Sequence, residues 1–131
     1  MKLVLNFSHE LHPDSVAYLK QELGEYTYLH KLFRIDFKKD LEEQIVQCVE
    51  EVDQTLFETY GRTLTSLGMV YMVAPGLTDP AILLFLELLG RTGDPPSIVM
   101  LRRDYNNGGF KVYKIVNGVF FRQAARGRRR L

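Results

Sequence analysis

Asn6-Phe7-Ser8-His9 place a carboxamide, an aromatic ring, a hydroxyl and an imidazole in four consecutive positions. They follow Leu3-Val4-Leu5, an apolar run of strand type. In open α/β sheets ligands lie in the crevice outside the carboxyl ends of the strands. There Asn6 offers a base edge both donor and acceptor, and Phe7 offers a stacking face. Ser8 and the N-terminus of the next helix offer donors to phosphate. Among the histidines, His9 alone is placed for acid–base work and is the one candidate catalyst. His30, inside a strand, reads as structural.

Two further strand ends converge on the same edge. Pro75-Gly76 closes a central strand and leaves room for close backbone approach. Arg102 and Arg103 close a later one, and because strand side chains alternate, one of the pair is expected to face the ligand. Arg91 joins the candidate binding set. Each has an ordinary alternative: Phe7 as core, Asn6 and Ser8 as caps, Pro75-Gly76 as a turn. Arg102 can pair with Asp104, and Arg91 with Glu87 four residues earlier on a helix.

The chain has no phosphate-cradling Walker loop, no dinucleotide Gly-x-Gly-x-x-Gly and no Gly-x-Ser-x-Gly elbow. His9 and His12 stand three apart, but Pro13 and a loop setting argue against zinc. No metal and no cofactor is expected.

These residues need elements to hold them. His12-Pro13 predicts a helix with proline at its first position, an apolar stripe of Val16, Leu19 and Leu23, and a stop at Gly24. Tyr26 to Phe37 reads as a strand with Leu29, Phe33, Ile35 and Phe37 on one face. Asp40 caps a helix over 40–58, whose apolar face carries Leu41, Ile45, Cys48, Val49, Val52 and Leu56. Its carboxylates read as a solvated face, and Cys48 as packing. Met69 to Ala74 is a continuous apolar strand suited to a covered sheet. Asp79-Pro80 predicts the cap and first turn of a helix over Ala81 to Leu89, ended by Gly90. That helix is apolar except at Glu87, which implies burial in the domain or in a subunit interface. Ser97 to Leu101 and Phe110 to Val116 read as a hairpin turned at Asn106-Asn107-Gly108-Gly109, and Val119 to Arg126 as a weak helix. The order β-α-β-α-β-α-β-β-α predicts a small Rossmann-like, three-layer α/β domain, its sheet mainly parallel with an antiparallel C-terminal hairpin. One domain over 1–131 is expected, with a flexible basic tail at about 127–131.

Composition is ordinary, with 46% hydrophobic and 25% charged residues. A single cysteine excludes an intramolecular disulfide and favours a reducing compartment. No apolar run is long enough to span a bilayer, so a cytoplasmic protein without membrane contact is expected. The net charge of +1 hides a split. Residues 1–100 hold eight Lys or Arg against fifteen Asp or Glu, a balance of −7, whereas residues 101–131 hold nine basic residues against Asp104, a balance of +8. Such asymmetry fits a polyanionic partner, or equally a solvated basic tail.

Leu5-Asn6-Phe7-Ser8-His9, Pro75, the run Ile82 to Arg91, Gly93, Pro96, Ile98, Arg102 and the tail Arg122-Gln123-Ala124-Ala125-Arg126 resemble the small CRISPR-associated accessory proteins called Csx-fifteen. The chain departs at Leu89, where members prefer histidine before the Gly-Arg pair, so any role of that histidine does not transfer. The family accompanies type III CRISPR systems, which signal with cyclic oligoadenylates. The resemblance implies a CARF-like fold and a cyclic tetra-adenylate ligand, bound at the strand ends across a symmetric interface, hence a homodimer or higher oligomer. It carries Asn6, Phe7, Ser8, His9 and Arg102 into the site, with Arg91 second. Three functions follow for test: sequestration of the ring with slow or no cleavage, a metal-independent ring nuclease, and linear RNA binding through Arg122, Arg126 and Arg128 to Arg130. The last is disfavoured because the tail has few aromatic platforms besides Phe120-Phe121. Sequence-specific DNA binding is not expected.

Overall fold

The protein is described from a computed structural model covering residues 1–130. Five strands form one sheet in the order β2-β1-β3-β4-β5. They are β1 (Lys2–Asn6), β2 (Thr27–His30), β3 (Met69–Val73), β4 (Ser97–Arg103) and β5 (Phe110–Val116). The first four run parallel, with Asn6 level with His30 on one side and Val73 on the other. β5 returns antiparallel from β4. The four helices are α1 (Pro13–Leu23), α2 (Leu41–Tyr60), α3 (Thr78–Thr92) and α4 (Gly118–Gly127). This is a Rossmann-like α/β fold with an antiparallel C-terminal hairpin, as the element order predicts.

Alternation along buried strands builds two cores. Leu3, Leu5, Val70 and Met72 face α2 and α3, where they meet Ile45, Val49, Val52, Leu84 and Leu88. Val4, Tyr71, Val73, Val99 and Val112 face α1, where they meet Leu19 and Leu23. Burying each such Val or Leu contributes about 1.5–3 kcal/mol. That is why β1 and β3 carry no polar residue between Leu3 and Leu5 or between Val70 and Val73.

Several expectations are corrected. The strand predicted over Tyr26 to Phe37 ends at His30. Beyond it two amides still reach β1, Lys31 N to the Asn6 carbonyl and Phe33 N to that of Phe7. β1 then has no more chain to pair with, so Phe33 still packs on the core while Phe37 is 84% exposed. On α1 the buried stripe is Ser15, Leu19 and Leu23, not Val16. The Ser15 hydroxyl accepts the buried Val112 amide at 3.0 Å, which a valine cannot do. The carboxylates of α2 are only partly solvated: Glu51 pairs with Lys31, and Glu50 and Asp53 pair with Arg91. α3 begins at Thr78 without a side-chain cap from Asp79, passes through Gly90 and stops at Gly93, whose φ of +84° only glycine adopts freely. Within the single chain it is not wholly enclosed, leaving Ile82 and Leu86 about half exposed; of the two alternatives, full burial inside the domain is the one corrected. In the basic tail, Gly127 closes α4 and 128–130 lie exposed. Leu131 lies outside the described residues.

Candidate functional site

The order β2-β1-β3-β4-β5 reverses chain direction between β1 and β3. From β1 the chain passes to α1 on one face; from β3 it passes to α3 on the other. The chain leaves the ends of β1 and β3 toward opposite faces, which is the usual position of the ligand crevice in sheets of this order. Phe7 to His9, Ala74 to Leu77 and the N-termini of α1 and α3 surround it.

The structure separates the β1 residues by role. Asn6 is completely buried. Its Oδ1 accepts the Ser8 amide at 2.9 Å, and its Nδ2 donates to the His9 carbonyl at 2.8 Å and to the Tyr28 hydroxyl at 3.0 Å. No capacity is left for a base edge, so Asn6 shapes the loop instead of touching a ligand. Phe7 is also fully buried and packs in the core on the α2 side, which removes it as a stacking platform. Ser8 is half-buried and His9 exposed, and among the described residues the Ser8 hydroxyl and the His9 ring make no hydrogen bond.

A frame unread in the sequence holds this loop. The Tyr28 hydroxyl donates to Glu10 at 3.1 Å, and Glu10 meets His30 Nδ1 at 3.0 Å. The opposite ring nitrogen of His30, Nε2, lies 2.6 Å from the Ser8 carbonyl. Burial, with a smaller contribution from the Glu10 carboxylate, pushes the Tyr28 phenol up to about 12, so it stays a hydroxyl donor. The only signal for this frame was the two-residue spacing of Tyr28 and His30, which puts both on one face of β2. Both His30 nitrogens are engaged, so this ring orients the loop and is not a free base.

At β3, Pro75 is buried and contributes only shape, whereas Gly76 is exposed with open space around its α-carbon. At β4, the arginines project beyond the last β3–β4 pair, Met72 with Ile98, and diverge as alternation requires. Arg103 follows Val99 and Leu101 on the α1 side and lies 6.0 Å from the Phe110 ring. Arg102 follows Ile98 and Met100 on the α3 side and lies 5.3 Å from the Tyr113 ring. Neither pairs with Asp104. That carboxylate holds the hairpin turn, accepting from the Asn106 amide at 3.0 Å and the Asn107 amide at 3.1 Å. The backbone donor of Asn107 above all keeps it below its usual range. The turn reaches α1: His12 Nε2 would stand 3.0 Å from a side-chain carbon at Gly109. Arg103 is therefore the arginine on the α1 flank of the crevice.

Arg91 leaves the candidate set. Its guanidinium meets Glu87 at 2.7 Å, Glu50 at 2.9 Å and Asp53 at 3.0 Å, bolting α3 to α2. Burial alone would lower its proton affinity, and the three carboxylates more than reverse that. Cys48 is buried on α2, where desolvation pushes its thiol up to about 11, so it stays a packing group.

Helix ends supply the clearest electrostatic feature. α2 is capped by Asp40, whose Oδ1 accepts the Glu42 amide at 2.8 Å, and α4 by Asn117, whose Oδ1 accepts the Phe120 amide at 3.0 Å. α1 and α3, which open onto the crevice, have no side-chain cap at His12 or Leu77. Pro13 and Pro80 have no N–H, and the Ser15, Val16 and Ala81 amides reach the His12 and Leu77 carbonyls, so the amides of Asp14, Thr78 and Asp79 are those left for another acceptor. The largest clefts lie elsewhere. One of about 500 Å³ is bounded by Lys31, Arg34 and α2, and an apolar groove of about 490 Å³ lies between α3, the β4–β5 hairpin and α4. The switch point is an open edge. No helix among the described residues is long and apolar enough to cross a membrane. Comparison with protein families, with characterised proteins and with solved structures finds no match to this chain.

Proposed function

We propose that this protein captures a cyclic oligoadenylate, cyclic tetra-adenylate first among them, on the strand ends between β1 and β3, and holds the ring without rapid cleavage. The observation that carries this reading is the pair of uncapped helix N-termini flanking the crevice, while the other two helices are capped. The free amides of Asp14, Thr78 and Asp79 and the helix dipoles favour phosphate, against the first-turn carboxylates of Asp14 and Asp79. Ser8, His9 and Arg103 add a hydroxyl, an imidazole and a guanidinium around the same edge, and Gly76 leaves the backbone approachable. The likeness to the Csx-fifteen accessory proteins of type III CRISPR systems supplies the ring as ligand. An open edge contacts only one side of a ring, so a second copy of the chain closes the site from the other side, which makes the working unit a homodimer.

Holding is favoured over cutting because no acid–base pair among the described residues faces the crevice. The one histidine with a carboxylate neighbour, His30, is engaged at both nitrogens. His9 has no carboxylate within ion-pair distance among the described residues. Residual cleavage would rest on alignment of the ribose 2′-hydroxyl with the adjacent phosphate, leaving a 2′,3′-cyclic phosphate.

Labelled cyclic tetra-adenylate incubated with excess protein and run on native and denaturing gels tests both. A native shift with intact ring supports sequestration, and discrete shorter products support a ring nuclease. A shift with linear RNA but none with the ring overturns both. Ser8→Ala and His9→Ala are expected to weaken ring binding without loss of fold, and unchanged affinity in both places the site elsewhere.

A further inference from the structure

The C-terminal third has a second surface, on the α3 side of the β4–β5 hairpin, that the crevice does not use. Arg102 and Lys111 stand directly opposite in register, and Lys114 stands opposite Met100 on the same face. Like charges facing each other across two strands destabilise a sheet. Asp104, the sole acid of residues 101–131, is buried and committed to the turn; it attracts Lys111 but forms no ion pair with either cation. Within residues 101–130 only Arg122 forms an ion pair, with Asp94 at 3.3 Å. Protection of an edge strand explains a lysine on β5. It does not explain an arginine set directly opposite that lysine on β4, whose pairing with β3 ends at Met72 and Ile98.

Aromatic rings interleave these cations. The extra residue of the β5 bulge, Tyr113, lies beneath Arg102 and is 38% exposed, while Phe121 of α4 is 63% exposed. The face continues into the apolar groove of about 490 Å³ floored by Ile98, Met100 and Val116. At its rim the Arg122 Nε is buried without any acceptor. A buried donor without a partner calls for an explanation, and a ligand oxygen is one.

We infer that this face binds single-stranded nucleic acid without sequence preference. Phosphates lie along Arg102, Lys111 and Lys114, bases stack on Tyr113 and Phe121 and enter the groove, and a base or phosphate oxygen accepts from Arg122 Nε. Cations along a track with stacking rings between them are the requirements for such binding. An anionic membrane would meet the charge, but most of these groups sit on a sheet instead of one long amphipathic helix.

Anisotropy with a labelled oligodeoxythymidylate of about 20 nucleotides tests it. Contact with about four phosphates gives a log–log salt slope near −2.8, or about a 50-fold loss of affinity between about 50 and about 200 mM salt. The triple variant Arg102→Ala/Lys111→Ala/Lys114→Ala flattens that slope by about 2. Tyr113→Ser leaves the slope unchanged and weakens binding about tenfold. All altered side chains are partly or fully exposed, and circular dichroism confirms the fold of each variant. Absence of binding at low salt overturns the inference. So does equal competition by inorganic polyphosphate with no effect of Tyr113→Ser, or binding to phosphatidylserine vesicles but not to the oligonucleotide.

Discussion

Replacing Arg91 by alanine is the sharpest test of how the helical layer is held. The side chain is 19% exposed and neutralises Asp53 and Glu87, at 21% and 26%, together with the more exposed Glu50 at 57%. Its loss leaves carboxylates facing one another between α2 and α3. It also loosens Asp53, whose Oδ1 accepts the Leu64 amide at 2.7 Å and so anchors the 3-10 turn Leu64–Ser66 with its buried leucine. Breaking a fully buried pair costs about 3–5 kcal/mol. Discounting for water access to Glu87 and neglecting Glu50 gives about 2–3 kcal/mol. At about 4 °C per kcal/mol for a chain of this size, Tm falls by about 8–12 °C. Arg91→Lys keeps the charge but not the fork of donors and recovers about half of that loss. Thermal melts and urea titrations at neutral pH provide the measurement, with a lower midpoint and an unchanged m-value expected. A shift below about 3 °C would put these ion pairs in the class of surface contacts. Loss of ring affinity without loss of Tm would return Arg91 to the ligand site.

Gly118→Ala places a methyl carbon 2.3 Å from the Pro96 carbonyl oxygen and 2.9 Å from that of Pro95, so the start of α4 must shift. A loss of about 1–3 kcal/mol is expected, with faster tryptic cleavage at Arg122 and Arg126; an unchanged digestion rate would refute it. The folded-state pKa of Asp104 is lowered, so its contribution is complete above the ordinary carboxylate range and is lost as pH falls through the folded value. Acid should therefore speed amide exchange at Asn106 and Asn107 relative to the intrinsic rate, and Asp104→Asn should remove that pH dependence. Arg103→Ala is expected to weaken ring binding and spare the linear oligonucleotide, and Arg102→Ala to do the reverse. Equal losses in both assays would mean that the two ligands share one surface.

The fold was legible wherever a single physical demand governed the residues. Apolar runs such as Met69 to Ala74 are explicable only by a sheet covered on both faces, and the stripe of α2 from Leu41 to Leu56 fixes both its length and its buried side. Failures came where a distant partner overrode the local pattern. Ser15 displaced Val16 because an amide on β5, nearly a hundred positions later, needed an acceptor. The second strand stopped early because β1 ran out, which no property of residues 31–37 reveals. The site followed the same rule. That polar groups gather outside the strand ends was readable from apolar runs that stop there. The division of labour was not, because Asn6 is engaged by Tyr28 and Phe7 is enclosed in the core of α2 and α3, neighbours that only the folded sheet brings together.

Satisfaction of polar groups then discriminates between parts of the molecule. On the acidic side, charges meet partners: Lys31 with Glu51, and Arg91 with three carboxylates. Asn6 has its donors and acceptor filled, and Asp40 and Asn117 close two helix ends. The same chain leaves two helix N-termini without a side-chain cap at the switch point, and sets Arg102 opposite Lys111 with no ion pair to either among the described residues. A sequence that resolves its polar conflicts elsewhere and retains them at two places concentrates unsatisfied donors and positive charge there, at a cost in stability. Both retained features favour the same chemistry, since free N–H groups and unpaired cations each select phosphate. What separates the two surfaces is their surroundings. The crevice offers a small, open, polar edge suited to a compact polyanion shared between copies, and the hairpin offers an extended face with rings and an apolar floor suited to a linear one.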